Sequence, residues 1–177
     1  MITLRDLAMD DVPAIQRIYS GASVRFTHDR PYTAEEARER VAKALELAEE
    51  VPRRRWDFGI VLAEDDDLLG VMSLRIREPG VGTLSYILRE DAWNSGYATE
   101  AAERVVEFAF TTAGLKRLEA KHHPRNLASG RVLTKAGFEC IGTSELHTTD
   151  GVIVPYPVYA FRGPSTTQSA GEARCEP

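Results

Sequence analysis

Cysteine is scarce in this sequence, and the sequence contains no long apolar run. Only Cys140 and Cys175 occur among 177 residues, too few for a disulfide-rich scaffold or a cysteine-ligated zinc site. No stretch approaches the ~18 apolar residues that a membrane span needs, and the first residues lack the basic flank and apolar run of a secretory signal. We therefore expect a cytoplasmic protein that has no membrane partner.

Basic residues are outnumbered by acidic ones. The 22 lysines and arginines face 27 aspartates and glutamates, which gives a net charge of −5, the wrong sign for a protein whose main role is to bind nucleic acid. Hydrophobic residues make up 43% of the chain and charged residues 28%, as in an ordinary folded domain. The length then predicts one domain with a sizeable core, and the charge predicts no nucleic-acid partner. We expect a monomer or a homodimer.

Hydrophobic periodicity predicts a sheet flanked by helices. Apolar residues that alternate with polar ones indicate strands over residues 2–7, 58–63, 68–76, 83–88, 117–122, 138–146 and 153–161. Helical spacing indicates helices over residues 13–20, 33–50, 99–112 and 128–136. Short turns between consecutive strands make antiparallel pairs, so the predicted fold class is α/β, of the α+β kind, with a mostly antiparallel central sheet.

Three consecutive aspartates, Asp65, Asp66 and Asp67, separate two of these strands. Such a cluster could suggest a metal site, but adjacent side chains point in different directions and no ligand spacing surrounds them. A polar turn is the favoured interpretation, and no metal is predicted.

Two segments show no clear periodicity. Residues 20–32 are interpreted as a loop or broken helix, in which His28, Asp29 and Tyr32 are candidate pocket residues. Residues 163–177 are rich in small and polar side chains and are predicted to form a disordered tail. The folded domain is therefore expected to span residues 1–162.

The most informative segment lies between a predicted strand and a predicted helix and reads WNSGYATE over residues 93–100. Gly96 and Ala98 permit a close approach to the backbone, and the first amides of a helix are unpaired and lie at the positive end of its dipole. Such a helix start can bind a pyrophosphate. A tight structural turn is the alternative interpretation of this segment alone.

A second segment reads AKHHPRNLASGRVLTKAGFE over residues 120–139. Together with residues 93–101 it resembles the GCN5-related N-acetyltransferase (GNAT) superfamily, and within it the RimJ/RimL-type group that acetylates ribosomal-protein N-termini and many small amines. The resemblance covers residues 1–162 by element order. It implies an enzyme that moves an acetyl group from acetyl-CoA to a protein N-terminus or a small-molecule amine, by direct attack in a ternary complex, with a splayed strand pair that admits acetyl-CoA.

The resemblance also assigns cofactor-binding positions. Asn94 and Ser95 replace the usual Gly and Lys of the phosphate loop, so the loop carries no cation and must bind phosphate through backbone amides. Arg131, or less favourably Arg125, is the candidate for the nucleotide's extra phosphate, with a solvated helix residue as the alternative. The Leu88 N–H is expected to face the acetyl carbonyl. The predicted cofactor-binding residues are Leu88, Asn94, Ser95, Gly96, Tyr97, Ala98, Thr99, Asn126, Ser129 and Arg131.

Ser129 is the candidate general acid, because the resemblance places it facing the cofactor sulfur from the first turn of a helix. A helix-capping role is the alternative for Asn126 and Ser129. The general base stays open among Glu145, His122, His28 and Tyr86; Glu145 and His122 complete the predicted catalytic set, with solvent exposure and plain burial as their respective alternatives. A non-catalytic acyl-CoA sensor or interaction module is the alternative function, because the loop lacks a cation and the base is unassigned.

Overall fold

The computed structural model describes residues 1–27, 30–147 and 152–163. In these ranges one sheet contains seven strands: β1 (Ile2–Asp6), β2 (Arg55–Leu62), β3 (Leu68–Glu78), β4 (Val81–Leu88), β5 (Arg117–Lys121), β6 (Glu139–His147) and β7 (Ile153–Arg162). The α-helices are α1 (Val12–Ile18), α2 (Ala34–Ala48), α3 (Tyr97–Thr111) and α4 (Leu127–Lys135). Short 3-10 helices lie at Met9–Asp11, Gly21–Val24 and Glu90–Ala92. The predicted fold class is confirmed.

The strand order is β1-β2-β3-β4-β5-β7-β6, and β4 and β5 form the parallel pair in an otherwise antiparallel sheet. A parallel pair needs a crossover connection, which α3 provides. The pairing runs from Val81 and Arg117 to Leu84 and Ala120. Residues 85–88 keep their partners on β3 but have none on β5. The two strands therefore part at this point, as the resemblance implied.

Each face of the sheet carries its own apolar layer. On one face, α3 and α4 bury Val105 and Leu133 against strand residues such as Leu118. On the other, α1 and α2 bury Ile15 and Val41 together with Val71 and other residues of the central strands. Burial of each such side chain contributes about 1.5–3 kcal/mol. The layers hold the central strands rigidly on both sides of the opening between β4 and β5.

Local sequence signals explain several boundaries. The Glu36 N–H donates to Thr33 Oγ1 at 3.2 Å and the Thr33 N–H donates to Glu36 Oε2 at 2.8 Å, a capping box that begins α2. In the turn between β2 and β3, Arg5 Nε donates to Asp66 at 3.0 Å and Arg89 NH1 donates to Asp67 at 2.9 Å. These ion pairs engage two of the three consecutive aspartates.

Some of the predicted loop and tail residues lie outside the described residues. These are His28, Asp29 and residues 164–177, and with them the predicted disordered tail. Tyr32 stacks on Tyr19 with ring centroids 4.3 Å apart. None of the helices in the described ranges has both the length and the apolar content that a membrane crossing requires.

Candidate active site

A cavity of about 330 Å³ opens where β4 and β5 separate. Four segments line it: the turn after α1, the end of β4, the loop before α3 with the first turn of α3, and α4. The helices α3 and α4 belong to one layer of the fold, whereas Val24 places the turn after α1 in the opposite layer. The cavity therefore lies where residues from the two layers meet.

Of the loop residues predicted to bind the cofactor, Asn94 and Gly96 to Thr99 line the cavity, and Ser95 does not. Gly96 adopts φ +81° as the N-cap of α3, without any side-chain hydrogen bond to cap the helix. A Cβ on Gly96 would meet no atom within 4 Å, and the first residues of α3, Tyr97 to Thr99, line the cavity. The helix begins at Tyr97, two residues before the predicted start, because Gly96 accepts the left-handed conformation that ends the loop. This start presents the unpaired donors and positive dipole end that an anion needs.

The end of β4 directs a backbone donor into the opening. The Arg89 N–H donates to the Leu69 carbonyl at 2.9 Å, and N–H directions alternate along a strand. The Leu88 N–H therefore points away from β3 and toward the gap left by β5. On the same side, Trp93 Nε1 donates to the Leu88 carbonyl at 3.0 Å, which ties the loop to the strand end.

Asn126 and Ser129 both line the cavity. The Ser129 N–H donates to Asn126 Oδ1 at 3.2 Å, so Asn126 caps α4, as the capping alternative proposed. Capping uses only the side-chain oxygen and leaves the amide nitrogen of Asn126 without a hydrogen bond within the described residues. The cap also fixes the backbone of Ser129 at the cavity wall.

A tyrosine contacts Ser129 across the opening. The Tyr86 hydroxyl lies 2.8 Å from Ser129 Oγ, and the ring packs against the α3 and α4 layer. Burial raises the pKa of Tyr86 to about 12, and the hydrogen bond with Ser129 offsets part of the rise. A phenol with that pKa is protonated at neutral pH, which is unfavourable for a general base and favourable for a hydrogen-bond donor.

The structure does not bring Glu145 or His122 to this cavity. Glu145 is exposed on β6. His122 is 7% exposed; its Nδ1 donates to the His123 carbonyl at 2.8 Å and its Nε2 faces Gly130 and Tyr159. His122 and Tyr159 line a separate cavity on the other side of α4. The burial that the strand alternation predicted for His122 is therefore observed, at a distance from the site.

Several residues that line the cavity are not among those predicted from the sequence. The Arg25 guanidinium lies 5.0 Å from the Phe26 ring centroid, and Phe26 stacks on His123 with centroids 5.0 Å apart. No local pattern marks this contact, because it joins residues almost a hundred positions apart. Lys135 also lines the cavity; its helical spacing from Arg131 was a signal that could have found it.

The charged side chains in the described part of the cavity wall are all basic. Within the described residues, the cavity is lined by the cations Arg25, Arg131 and Lys135 and by no aspartate or glutamate. Arg131 and Lys135 lie on α4, on the same side as the first amides of α3. Arg25 follows the turn after α1, beside Phe26. The arrangement can bind phosphates beside α3 and α4 and a second ligand beside Arg25.

Comparison with known proteins gives concordant results. The family model described as acetyltransferase (GNAT) domain matches residues 1–139. The chain is 37% identical to the probable N-acetyltransferase YjcK of Bacillus subtilis (strain 168) over 144 residues, which cover 79% of this chain and 78% of that protein.

Solved structures show the same fold. RimL, a ribosomal L7/L12 alpha-N-protein acetyltransferase in complex with coenzyme A, is similar with a TM-score of 0.79 and 18% identity, covering 91% of this chain and 93% of that one. The aminoglycoside acetyltransferase AAC(6')-Ib, in complex with coenzyme A and kanamycin, is similar with a TM-score of 0.73 and 21% identity, covering 92% and 95%.

Proposed function

The chain belongs to the GNAT acetyltransferase family, and from this premise we propose that it transfers the acetyl group of acetyl-CoA to a primary amine by direct attack in a ternary complex. One observation carries the proposal: segments from both layers of the fold line one cavity where β4 and β5 part. A thioester from one face and an amine from the other can meet there without a covalent enzyme intermediate.

Acetyl-CoA supplies an activated acyl group, and this chain's residues orient it. The first amides of α3, exposed by Gly96, suit the pyrophosphate, and Arg131 with Lys135 suits the nucleotide's further phosphate. The Leu88 N–H, directed into the gap, suits the acetyl oxygen, where negative charge develops during attack. Asn126 offers its amide nitrogen to the cofactor arm.

Proton transfers complete the reaction. Attack requires a neutral amine, and the departing thiolate requires a proton. Ser129 lies on α4 in the cavity wall and is the proposed general acid: its hydroxyl protonates the thiolate and regains a proton from solvent water. No carboxylate lines the described part of the cavity, so we assign the removal of the amine proton to solvent water and assign no base role to Glu145 or His122.

The test is acetyl-CoA mixed with the protein and a panel of amines that includes small amines and short peptides with free N-termini. We expect thiol release that depends on the amine, together with an acetylated amine by mass spectrometry. Thiol release without an acetylated product would indicate a thioesterase. A melting-temperature rise with acetyl-CoA but no release with any amine would favour the non-catalytic alternative.

The cation Arg25 predicts a charge preference for the acceptor. At an exposed position, a guanidinium beside a carboxylate is worth up to about 1 kcal/mol, or roughly fivefold in kcat/KM. We expect Arg25→Glu to lower the ratio of kcat/KM for an α-amino acid to kcat/KM for its amide by roughly fivefold or more, a comparison in which the different pKa values of the two amines cancel. Steady-state kinetics with the matched acid and amide measures both.

Arg54→Glu is the matched control, since Arg54 is exposed and lies beside Ile76, at the opposite end of β3 from the gap. It makes the same change in net charge and should leave the acid-to-amide ratio unaltered. A preference for polycations in the unmodified protein would contradict this assignment, and a loss of acetyl-CoA affinity in Arg25→Glu would assign Arg25 to the cofactor.

A further inference from the structure

We propose that Tyr86 is a positioning residue for acetyl transfer: its hydroxyl donates a hydrogen bond to Ser129 Oγ and thereby directs the Ser129 hydrogen toward the sulfur of the departing CoA. The inference rests on the proposed function and adds to it a residue on β4, which approaches Ser129 from across the gap. Tyr86 itself transfers no proton and acts through Ser129.

The contact is short, enclosed and held on both sides. The Tyr86 hydroxyl and Ser129 Oγ are 2.8 Å apart, an ordinary distance for a hydroxyl pair. Tyr86 is fixed by β4 and by packing against the core. Ser129 is fixed by the helix and by the bond of its N–H to Asn126 Oδ1. Both side chains line the cavity, so the pair forms part of the wall that the thioester must reach.

The direction of the hydrogen bond follows from the partners that are present. A hydroxyl has one hydrogen to donate and two lone pairs that accept. Among the described residues, the phenol hydrogen has two acceptors within reach: Ser129 Oγ at 2.8 Å and the Ser129 carbonyl at 3.5 Å, the upper limit for a hydrogen bond. The shorter distance favours donation to Oγ. The Ser129 hydrogen is then free to point into the cavity.

The raised pKa of Tyr86, about 12, keeps this donor in place at every pH where the amine reaction would be measured. A phenol that stays protonated suits the donor role toward Ser129 Oγ that is proposed for it.

The experiment is a double-mutant cycle on kcat with Tyr86→Phe and Ser129→Ala. We expect Tyr86→Phe to lower kcat about five- to tenfold, as the loss of one hydrogen bond would, with the KM for acetyl-CoA unchanged. In the Ser129→Ala background, Tyr86→Phe should change kcat less than about twofold. Tyr159→Phe is the matched control, since that ring packs against His122 beside the other face of α4, and it should retain full activity.

The possible results distinguish failure of the positioning role of Tyr86 from failure of the proposed function. Equal losses from Tyr86→Phe in both backgrounds, or a raised KM with unchanged kcat, would overturn the positioning role while acetyl transfer by the unmodified protein stands. No transfer by the unmodified protein would overturn the proposed function. Should Tyr86→Phe be poorly folded by melting temperature, Tyr86→Met, with a flexible apolar side chain, completes the same cycle and is expected to give the same result.

Discussion

Replacing Ser129 with alanine should lower the kcat of acetyl transfer by roughly ten- to a thousandfold, the range that a positioned proton donor contributes. The substitution removes the hydroxyl that is proposed to protonate the thiolate. The Ser129 N–H still donates to Asn126, so α4 keeps its cap. Steady-state kinetics and the melting-temperature shift with acetyl-CoA should therefore show a loss of turnover without a loss of affinity.

Ser144→Ala provides the control for this result. Ser144 lies on β6 and accepts a hydrogen bond from Lys121 at 3.2 Å, outside the cavity wall, so the same chemical change there should leave kcat unaltered. Equal losses of acetyl-CoA affinity and turnover in Ser129→Ala would instead mean that the hydroxyl holds the cofactor. In that case the proton for the thiolate would come from solvent.

Much of the fold could be predicted because its elements carry their own periodicity. The amphipathic pattern of α3 places Val105 and Ala109 on one face, and the structure buries both. The phosphate loop and the Asn126 to Ser129 segment are equally local, since each keeps its polar or small residues within a few positions. Patterns of this kind can be identified from the sequence, because all of their residues lie close together at the start of one helix.

Strand order was not contained in any local pattern, and this decides the position of Glu145. Chain order suggests that β6 lies next to β5, which would place its side chains near the gap. In the structure β7 pairs with β5, and β6 lies beyond it at the edge of the sheet. Glu145 is therefore one strand farther from the opening than chain order suggests, and it is exposed.

Contacts between distant segments were equally out of reach. Tyr86 and Ser129 are 43 positions apart, and only the parting of β4 and β5 below α4 brings them together. Tyr86 is one of the candidate bases in the sequence, but burial moves its pKa away from neutrality. The sequence names the residue, and its role depends on an environment that only the fold creates.

Replacing Gly96 with valine should abolish the stabilisation by acetyl-CoA. Valine would place a branched side chain in the space before the first amides of α3, where an added Cβ meets no protein atom within 4 Å and where the pyrophosphate is proposed to bind. In the unmodified protein, acetyl-CoA at a hundred times its Kd should stabilise the fold by about 2.7 kcal/mol. Thermal unfolding with and without acetyl-CoA measures the difference.

The backbone strain of this substitution needs its own control, and the chain offers a matched one. Gly114 has φ +66° and open space around an added Cβ, as Gly96 has at φ +81°, but it follows the far end of α3 and does not line the cavity. A left-handed conformation costs a branched residue about 1–2 kcal/mol, so Gly96→Val and Gly114→Val should both melt earlier than the unmodified protein. Only Gly114→Val should keep the acetyl-CoA shift, because its new side chain stands away from the amides. A full shift retained in Gly96→Val would show that the pyrophosphate does not rest on the start of α3.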